Sequence, residues 1–155
     1  MLDPIGHNET CFKTGKLLKQ GGIMKIYRTR LFVLYYNRIT YHSMDYFLTA
    51  KYRQVGEISL RDLEPPTLYE MTEFDPKRAV KYGFVVGVKD KSSMSRNYYL
   101  FTETREECLE WIQAIRQVVE MCRMSYFHFC KMMKQNVGAE QLHDITIKTN
   151  GASDY

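Results

Sequence analysis

The feature that constrains this chain most is a stripe of apolar side chains towards its C-terminal end. The stripe recurs at helical spacing over about four turns, and its members are Cys108, Trp111, Ile112, Ile115, Val118, Val119 and Cys122. Just before it, Thr104 and Glu107 stand three residues apart, which is the spacing of a helix-capping box. The pattern predicts an amphipathic helix that begins after Thr104 and packs its apolar side onto another part of the chain.

Short segments with strand character fill the chain upstream of that helix. They are rich in Ile, Val, Tyr and Phe and are separated by turn formers such as Gly21-Gly22 and Pro65-Pro66. The predicted strands cover residues 12–19, 23–36, 39–41, 54–60, 68–73, 82–88 and 97–101. Seven short strands and one amphipathic helix predict a mainly β fold, an antiparallel barrel or sandwich whose open end the helix plugs.

The composition fits one ordinary domain with a short extension. The chain has 155 residues, and 45% of them are hydrophobic, which is enough to fill a core. No run of about eighteen apolar residues occurs, and the first ten residues lack the apolar stretch of a signal peptide. The four cysteines show no paired spacing. We therefore expect a soluble, cytoplasmic protein with reduced thiols.

Motifs for catalysis are missing from the sequence. It contains no GxSxG, P-loop or HExxH pattern, and its His and Cys residues show no metal-ligand spacing. No motif typical of nucleic-acid binding occurs either. We expect a protein that is not an enzyme, has no cofactor or metal, and does not bind nucleic acid.

Positive charge is concentrated in the first third of the chain. The net charge is +4, but residues 13–61 alone carry ten Lys or Arg against two acidic residues. Basic residues on a strand more often form a solvated face than a binding site. If an anion does bind, this distribution places its site on the first strands.

Three features, in this order and spacing, resemble the pleckstrin-homology (PH) family. GKLLKQGG at 15–22 and KIYRTRLFVL at 25–34 are similar to the family's first strand, Gly-Gly loop and basic second strand. Residues 39–41 resemble its third strand, and Trp111 stands mid-helix as the family's signature tryptophan does. The resemblance covers residues 12–121. It implies a seven-stranded antiparallel PH-type barrel or sandwich capped by a C-terminal α-helix, with Trp111 as a structural core residue.

The resemblance also implies a set of ligand-binding residues. The positions that match the basic motif of PH domains recognising 3-phosphorylated inositol lipids are Lys19, Arg28, Arg30 and Tyr41. Beyond residue 42 the sequence diverges from the pattern of this subgroup. Either Lys51 or Arg53 can supply the basic residue that the motif has later in the chain. Ile23 stands where some members of that subgroup have a further cation.

Strand geometry gives an independent reason to group the cations. Side chains alternate between faces along a strand, so Arg28 and Arg30 share a face with Phe32, and Lys19 shares one with Leu17. If the apolar residues point into the barrel, the cations lie at its rim. Arginine offers a planar fork of donors and lysine a flexible point charge, and both suit phosphate groups.

Two apolar side chains, Ile23 and Met24, stand near the tip of the Gly-Gly loop, beside Lys25. Either they enter the membrane interface while the cations stay at headgroup level, or they pack back against the domain. The first alternative makes Ile23, Met24 and Lys25 membrane contacts.

The chain continues past the predicted domain. Residues 122–137 contain no helix breaker and predict a helical extension, while 138–155 predict a polar tail. The stretch that begins at Met121 and ends at Gln135 is rich in Met and aromatic residues. It either packs on the domain or presents a surface to a protein partner or another copy.

The function expected from these patterns is membrane recruitment. A module of a signalling or adaptor protein would bind the headgroup of phosphatidylinositol 3,4,5-trisphosphate or 3,4-bisphosphate on an anionic membrane surface. The alternative is a PH-fold interaction or scaffold domain without lipid specificity, because fold does not determine function.

Overall fold

Seven strands and one helix make up the part of the chain that the computed structural model describes, which is residues 9–45, 51–60, 67–71, 82–89 and 95–150. The elements are β1 (Cys11–Gln20), β2 (Tyr27–Tyr35), β3 (Arg38–Asp45), β4 (Lys51–Ser59), β5 (Thr67–Met71), β6 (Tyr82–Lys89), β7 (Ser95–Thr102) and α1 (Arg105–Asn150). The strands form one antiparallel sheet in the order β4-β3-β2-β1-β7-β6-β5. The predicted fold class is confirmed.

The chain divides into two units, Met1–Glu120 and Met121–Tyr155. The first contains all seven strands and α1 as far as Glu120. The second contains α1 from Met121 to Asn150, so both the predicted extension at 122–137 and residues 138–150 of the predicted polar tail are helical. Within the described residues, no helix combines the length and the hydropathy that a membrane crossing requires.

The apolar stripe of α1 is buried in the first unit. Five of its side chains there are at most 4% exposed, namely Cys108, Trp111, Ile112, Ile115 and Val118, while Val119 is half-buried. The indole of Trp111 lies directly on Gly15 of β1, where an added Cβ would stand only 3.3 Å from the ring carbon Cζ2. The missing side chain at Gly15 therefore lets the indole approach the sheet.

Polar contacts attach the start of α1 to β5. The guanidinium of Arg105 pairs with Glu70 at 2.9 Å, and Arg116 donates a hydrogen bond to the carbonyl of Leu68 at 3.2 Å. At the first turn, the backbone amide of Glu107 donates to the hydroxyl oxygen of Thr104 at 3.2 Å, as the capping pattern predicted. The helix is thus held at β1 by the Trp111 ring and at β5 by Arg105 and Arg116.

The strand boundaries differ from the predicted ones. The second strand begins only at Tyr27, later than the apolar run that starts at residue 23, because residues 21–26 form a loop that the amide of Gly21 closes by donating to the carbonyl of Ile26 at 2.8 Å. Three strands extend by two residues or more beyond a predicted boundary: β3 extends to Asp45, β4 begins at Lys51 and β7 begins at Ser95. In these added segments, polar residues form their backbone hydrogen bonds with a neighbouring strand. The spacing of apolar side chains carries no information about such pairing.

The second half of β2 is buried on both faces. Four consecutive residues have no exposed surface: Phe32, Val33, Leu34 and Tyr35. Val33, Tyr35 and Cys11 form a buried apolar cluster on the face of the sheet opposite to Phe32. The guanidinium of Arg38 lies 4.5 Å from the centroid of the Tyr35 ring and pairs with Glu9 at 2.7 Å. Arg38, one of the cations of the basic region, therefore has a structural role.

Replacing Trp111 with Ala should lower the free energy of unfolding by about 3–5 kcal/mol, because it removes a large buried ring from its contact with Gly15. Urea denaturation followed by circular dichroism measures the loss. Leu109 lies on the same helix but is 41% exposed, so Leu109→Ala should cost less than about 1 kcal/mol. Equal losses in the two variants would contradict the role of Trp111 as a plug.

Candidate functional site

The pairing of β1 with β2 brings three cations to one face of the sheet. Lys19 stands opposite Arg28, and Leu17 stands opposite Arg30. Opposite residues share a face, and so do residues two apart on a strand. Since Leu17 is buried in the core at 2% exposure, the three cations lie on the core face, where the core ends beside loop 21–26.

Tyr41 on β3 lies on the same face. It stands opposite Phe32, and the two rings stack with centroids 5.4 Å apart and an angle of 25° between their planes. On its other side Tyr41 stands opposite Gly56 of β4, where any Cβ would overlap the phenol ring. Phe32 and Gly56 together fix the position of the Tyr41 ring.

The ammonium of Lys19 lies over aromatic rings. Its Nζ is 5.1 Å from the centroid of Tyr41 and 5.8 Å from that of Tyr98, both within the range of cation–π attraction. Burial is the largest cause that lowers the pKa of Lys19, and the positive charges of Arg96 and Arg30 lower that pKa further. A nearby anion would favour the charged form and offset these effects.

A cleft of about 370 Å³ opens between these side chains. The residues that line it are Lys19, Gly21, Met24, Ile26, Arg28, Arg30, Tyr41 and Val55, none of them acidic. In the part of the chain that the structure describes, no ion pair involves Lys19, Arg28 or Arg30. The four residues predicted from the basic motif thus meet at one cleft, and their cations are available to an anion.

Lys51 and Arg53 lie on the edge strand β4, opposite residues of β3 that share the face of Tyr41. Both are exposed on β4, where Lys51 stands opposite Asp45 and Arg53 opposite Ser43. Neither belongs to the described lining of the cleft. Their participation in binding stays a prediction.

The loop between β1 and β2 presents its apolar tip to solvent. Ile23 is 100% exposed and Met24 is 75% exposed, so the alternative in which they pack back against the domain is wrong. Lys25 is also exposed and adopts a positive φ of 45°, a left-handed conformation that lysine rarely takes. Contact of these three residues with a membrane stays a prediction.

Two residues of β7, Arg96 and Tyr98, lie near Lys19 and were missed by the sequence analysis. The guanidinium of Arg96 lies 4.7 Å from the centroid of Tyr98, the ring that Lys19 also faces. Arg96 lies just before the predicted strand 97–101, and its place beside Lys19 depends on the pairing of β1 with β7. No sequence pattern near Arg96 indicates that pairing, because the two strands are far apart in the sequence.

The family model described as PH domain matches residues 11–120. The chain belongs to the PH domain family. The match ends where the first unit ends, at Glu120, and α1 continues beyond it. A comparison with curated proteins found no match.

Solved structures similar to this PH domain include several of pleckstrin. The crystal structure of the carboxyl-terminal PH domain of pleckstrin is 24% identical, with a TM-score of 0.54, covering 72% of this chain and 98% of that chain. The same domain in complex with D-myo-Ins(1,2,3,4,5)P5 is 25% identical, with a TM-score of 0.50, covering 70% and 98%. Its complex with D-myo-Ins(1,2,3,5,6)P5 is 23% identical, with a TM-score of 0.54, covering 72% and 97%.

Gly56 makes a testable contribution to the site of the PH domain. Gly56→Ala should lower the free energy of unfolding by about 1–3 kcal/mol, because the new methyl group overlaps the ring of Tyr41. In a Tyr41→Ala background the same change should cost little. A double-mutant cycle by urea denaturation measures the coupling between the two positions. Additive costs would show that Gly56 does not position the ring.

Proposed function

We propose that this PH domain binds phosphoinositide headgroups and thereby recruits the protein that contains it to membranes. The observation that carries the proposal is the cleft at the end of the core. Lys19, Arg28 and Arg30 line it without forming an ion pair among the described residues, and no acidic residue stands in its lining.

The chemistry of the cleft suits phosphate groups on a sugar-like ring. Each phosphomonoester carries a charge between about −1.5 and −2 and several acceptor oxygens. Arg28 and Arg30 approach from β2 and Lys19 from β1, so two phosphates on one ring can receive donors from different directions. The phenol of Tyr41 adds a polar group at the wall. Binding of this kind requires no catalytic residue.

The pleckstrin complexes support this ligand class. The carboxyl-terminal PH domain of pleckstrin, 25% identical to this chain, was crystallised with an inositol pentakisphosphate. The motif of Lys19, Arg28, Arg30 and Tyr41 favours the 3-phosphorylated lipids within the class, phosphatidylinositol 3,4,5-trisphosphate and 3,4-bisphosphate. The proposal commits to the lipid, and the soluble inositol phosphates serve as its comparison in the experiments.

Arg96 stands outside the described lining of the cleft, on the β7 side of Lys19. It shares the Tyr98 ring with Lys19, and none of the ion pairs among the described residues uses it. A headgroup seated at Lys19 therefore has cations on both neighbouring strands, β2 and β7. We include Arg96 among the residues that bind the headgroup.

Removal of one cation should weaken headgroup binding about tenfold to a hundredfold, because each charge-assisted hydrogen bond contributes about 1.5–3 kcal/mol. The experiment compares the wild type with Arg30→Ala and Arg96→Ala by co-sedimentation with phosphatidylcholine vesicles, each doped with a single phosphoinositide. Lys16→Ala is the matched control, since Lys16 is an exposed cation on β1 that does not line the cleft.

Three results of this experiment count against the proposal. Failure of the wild type to bind any phosphoinositide vesicle would end it and leave the protein-docking alternative. Equal binding by the wild type and Arg30→Ala would remove the cleft as the site. Tight binding of soluble inositol phosphates without binding to vesicles would assign the cleft to a soluble ligand.

The exposed loop tip should contribute to vesicle binding but not to headgroup recognition. Burial of an isoleucine side chain in the membrane interface stabilises by about 1.5–3 kcal/mol, so Ile23→Ser should weaken vesicle binding about tenfold to a hundredfold. Isothermal titration with a soluble inositol phosphate should give the same affinity for Ile23→Ser and the wild type, because Ile23 does not line the cleft. Ile23→Leu, which keeps the apolar surface, should bind vesicles as the wild type does. A loss of soluble headgroup affinity in Ile23→Ser would contradict this division of roles.

A further inference from the structure

The part of α1 that lies beyond the PH domain match carries exposed apolar side chains. From Met121 to Gln135, the described side chains are exposed except for Cys122 and Cys130, which are half-buried. The large apolar members are Met121, Met124, Tyr126, Phe127, Met132 and Met133, and Phe127 is 72% exposed. Water solvates such a surface poorly, and surfaces of this kind usually mark an interaction site.

The charge of α1 changes sign at the same place. Within Arg105–Glu120 the helix carries four glutamates and two arginines. From Met121 to Gln135 it carries Arg123, Lys131 and Lys134 and no acidic residue. The exposed apolar side chains therefore occur together with a purely positive charge, which is complementary to an anionic partner.

The helical repeat separates most of the apolar side chains from the cations. Arg123 and Lys134 are eleven residues apart, about three turns, so they lie on one side, and Lys131 is one turn before Lys134. Met121 and Met132 have the same separation and lie on the far side of the helix from these cations. Tyr126 and Met133, seven apart, lie on the flank between the two groups.

We infer that the segment from Met121 to Gln135 is a second lipid contact, a basic amphipathic helix that lies on an anionic membrane surface. Tyr126 and the methionines Met121, Met132 and Met133 enter the interface while the cations interact with phosphate and carboxylate headgroups. Phe127 and Met124 lie on the side of the helix that carries the cations, so in this orientation they stay at the level of the headgroups. The contact needs anionic lipid but no inositol, and it is independent of the cleft.

The test uses the full chain and vesicles of phosphatidylcholine with phosphatidylserine, without phosphoinositide. Neutralising three cations near the surface in Arg123→Gln/Lys131→Gln/Lys134→Gln should weaken binding roughly hundredfold at low salt. Glutamine is a good helix former, so circular dichroism should show unchanged helix content. Isothermal titration with a soluble inositol phosphate should give the affinity of the wild type.

The matched control is Arg28→Gln/Arg30→Gln, which disables the cleft and leaves the helix intact. It should lose affinity for the soluble inositol phosphate and keep most of its binding to the phosphatidylserine vesicles. This crossed pattern separates the inference from the proposed function, because either contact can fail alone. Three results would overturn the inference: no binding of the wild type to these vesicles, binding of the triple variant equal to the wild type, or an equal loss in both variants. If the wild type does not bind these vesicles, the segment remains a candidate surface for a protein partner.

Discussion

The electrostatics of the cleft depend on how the charge of Lys19 is held. Some cations of this domain are balanced by a carboxylate, as Arg38 is by Glu9. Lys19 instead lies over the rings of Tyr41 and Tyr98, and its pKa is lowered by burial and by the arginines beside it. Aromatic rings attract a cation without neutralising it. The folded protein thus keeps a concentrated positive charge that a ligand, rather than a neighbouring side chain, can balance.

Such a cluster of like charges needs a rigid support. The end of β2 provides it, because Phe32 and Val33 are buried on opposite faces of the sheet directly after Arg28 and Arg30. The cations of β2 are therefore carried by a strand that is anchored on both sides at one end and exposed at the other. Rigid elements hold binding groups more precisely than loops do.

Features set by neighbouring residues in the chain were predicted from the sequence. Features that depend on the pairing of strands far apart in the sequence were missed. Alternation along a strand places Arg30 with Phe32, and helical spacing places Trp111 in the core; both relations hold in the structure. The contribution of Arg96 depends on the pairing of β1 with β7, which no pattern within either strand encodes. The buried apolar cluster around Val33 was missed for a related reason, since burial of both faces of a strand removes the alternation on which the prediction relied.

The contact between Gly56 and Tyr41 has a consequence for how sequence changes in this domain should be interpreted. Gly56 touches no ligand in the proposed arrangement, yet the Tyr41 ring occupies the space that a side chain at position 56 would need. A substitution at this glycine would displace the Tyr41 ring while every charged residue of the site stayed unchanged. The space that the Tyr41 ring occupies limits which residues position 56 tolerates. A mutational survey that changed only the cations would not detect this limit.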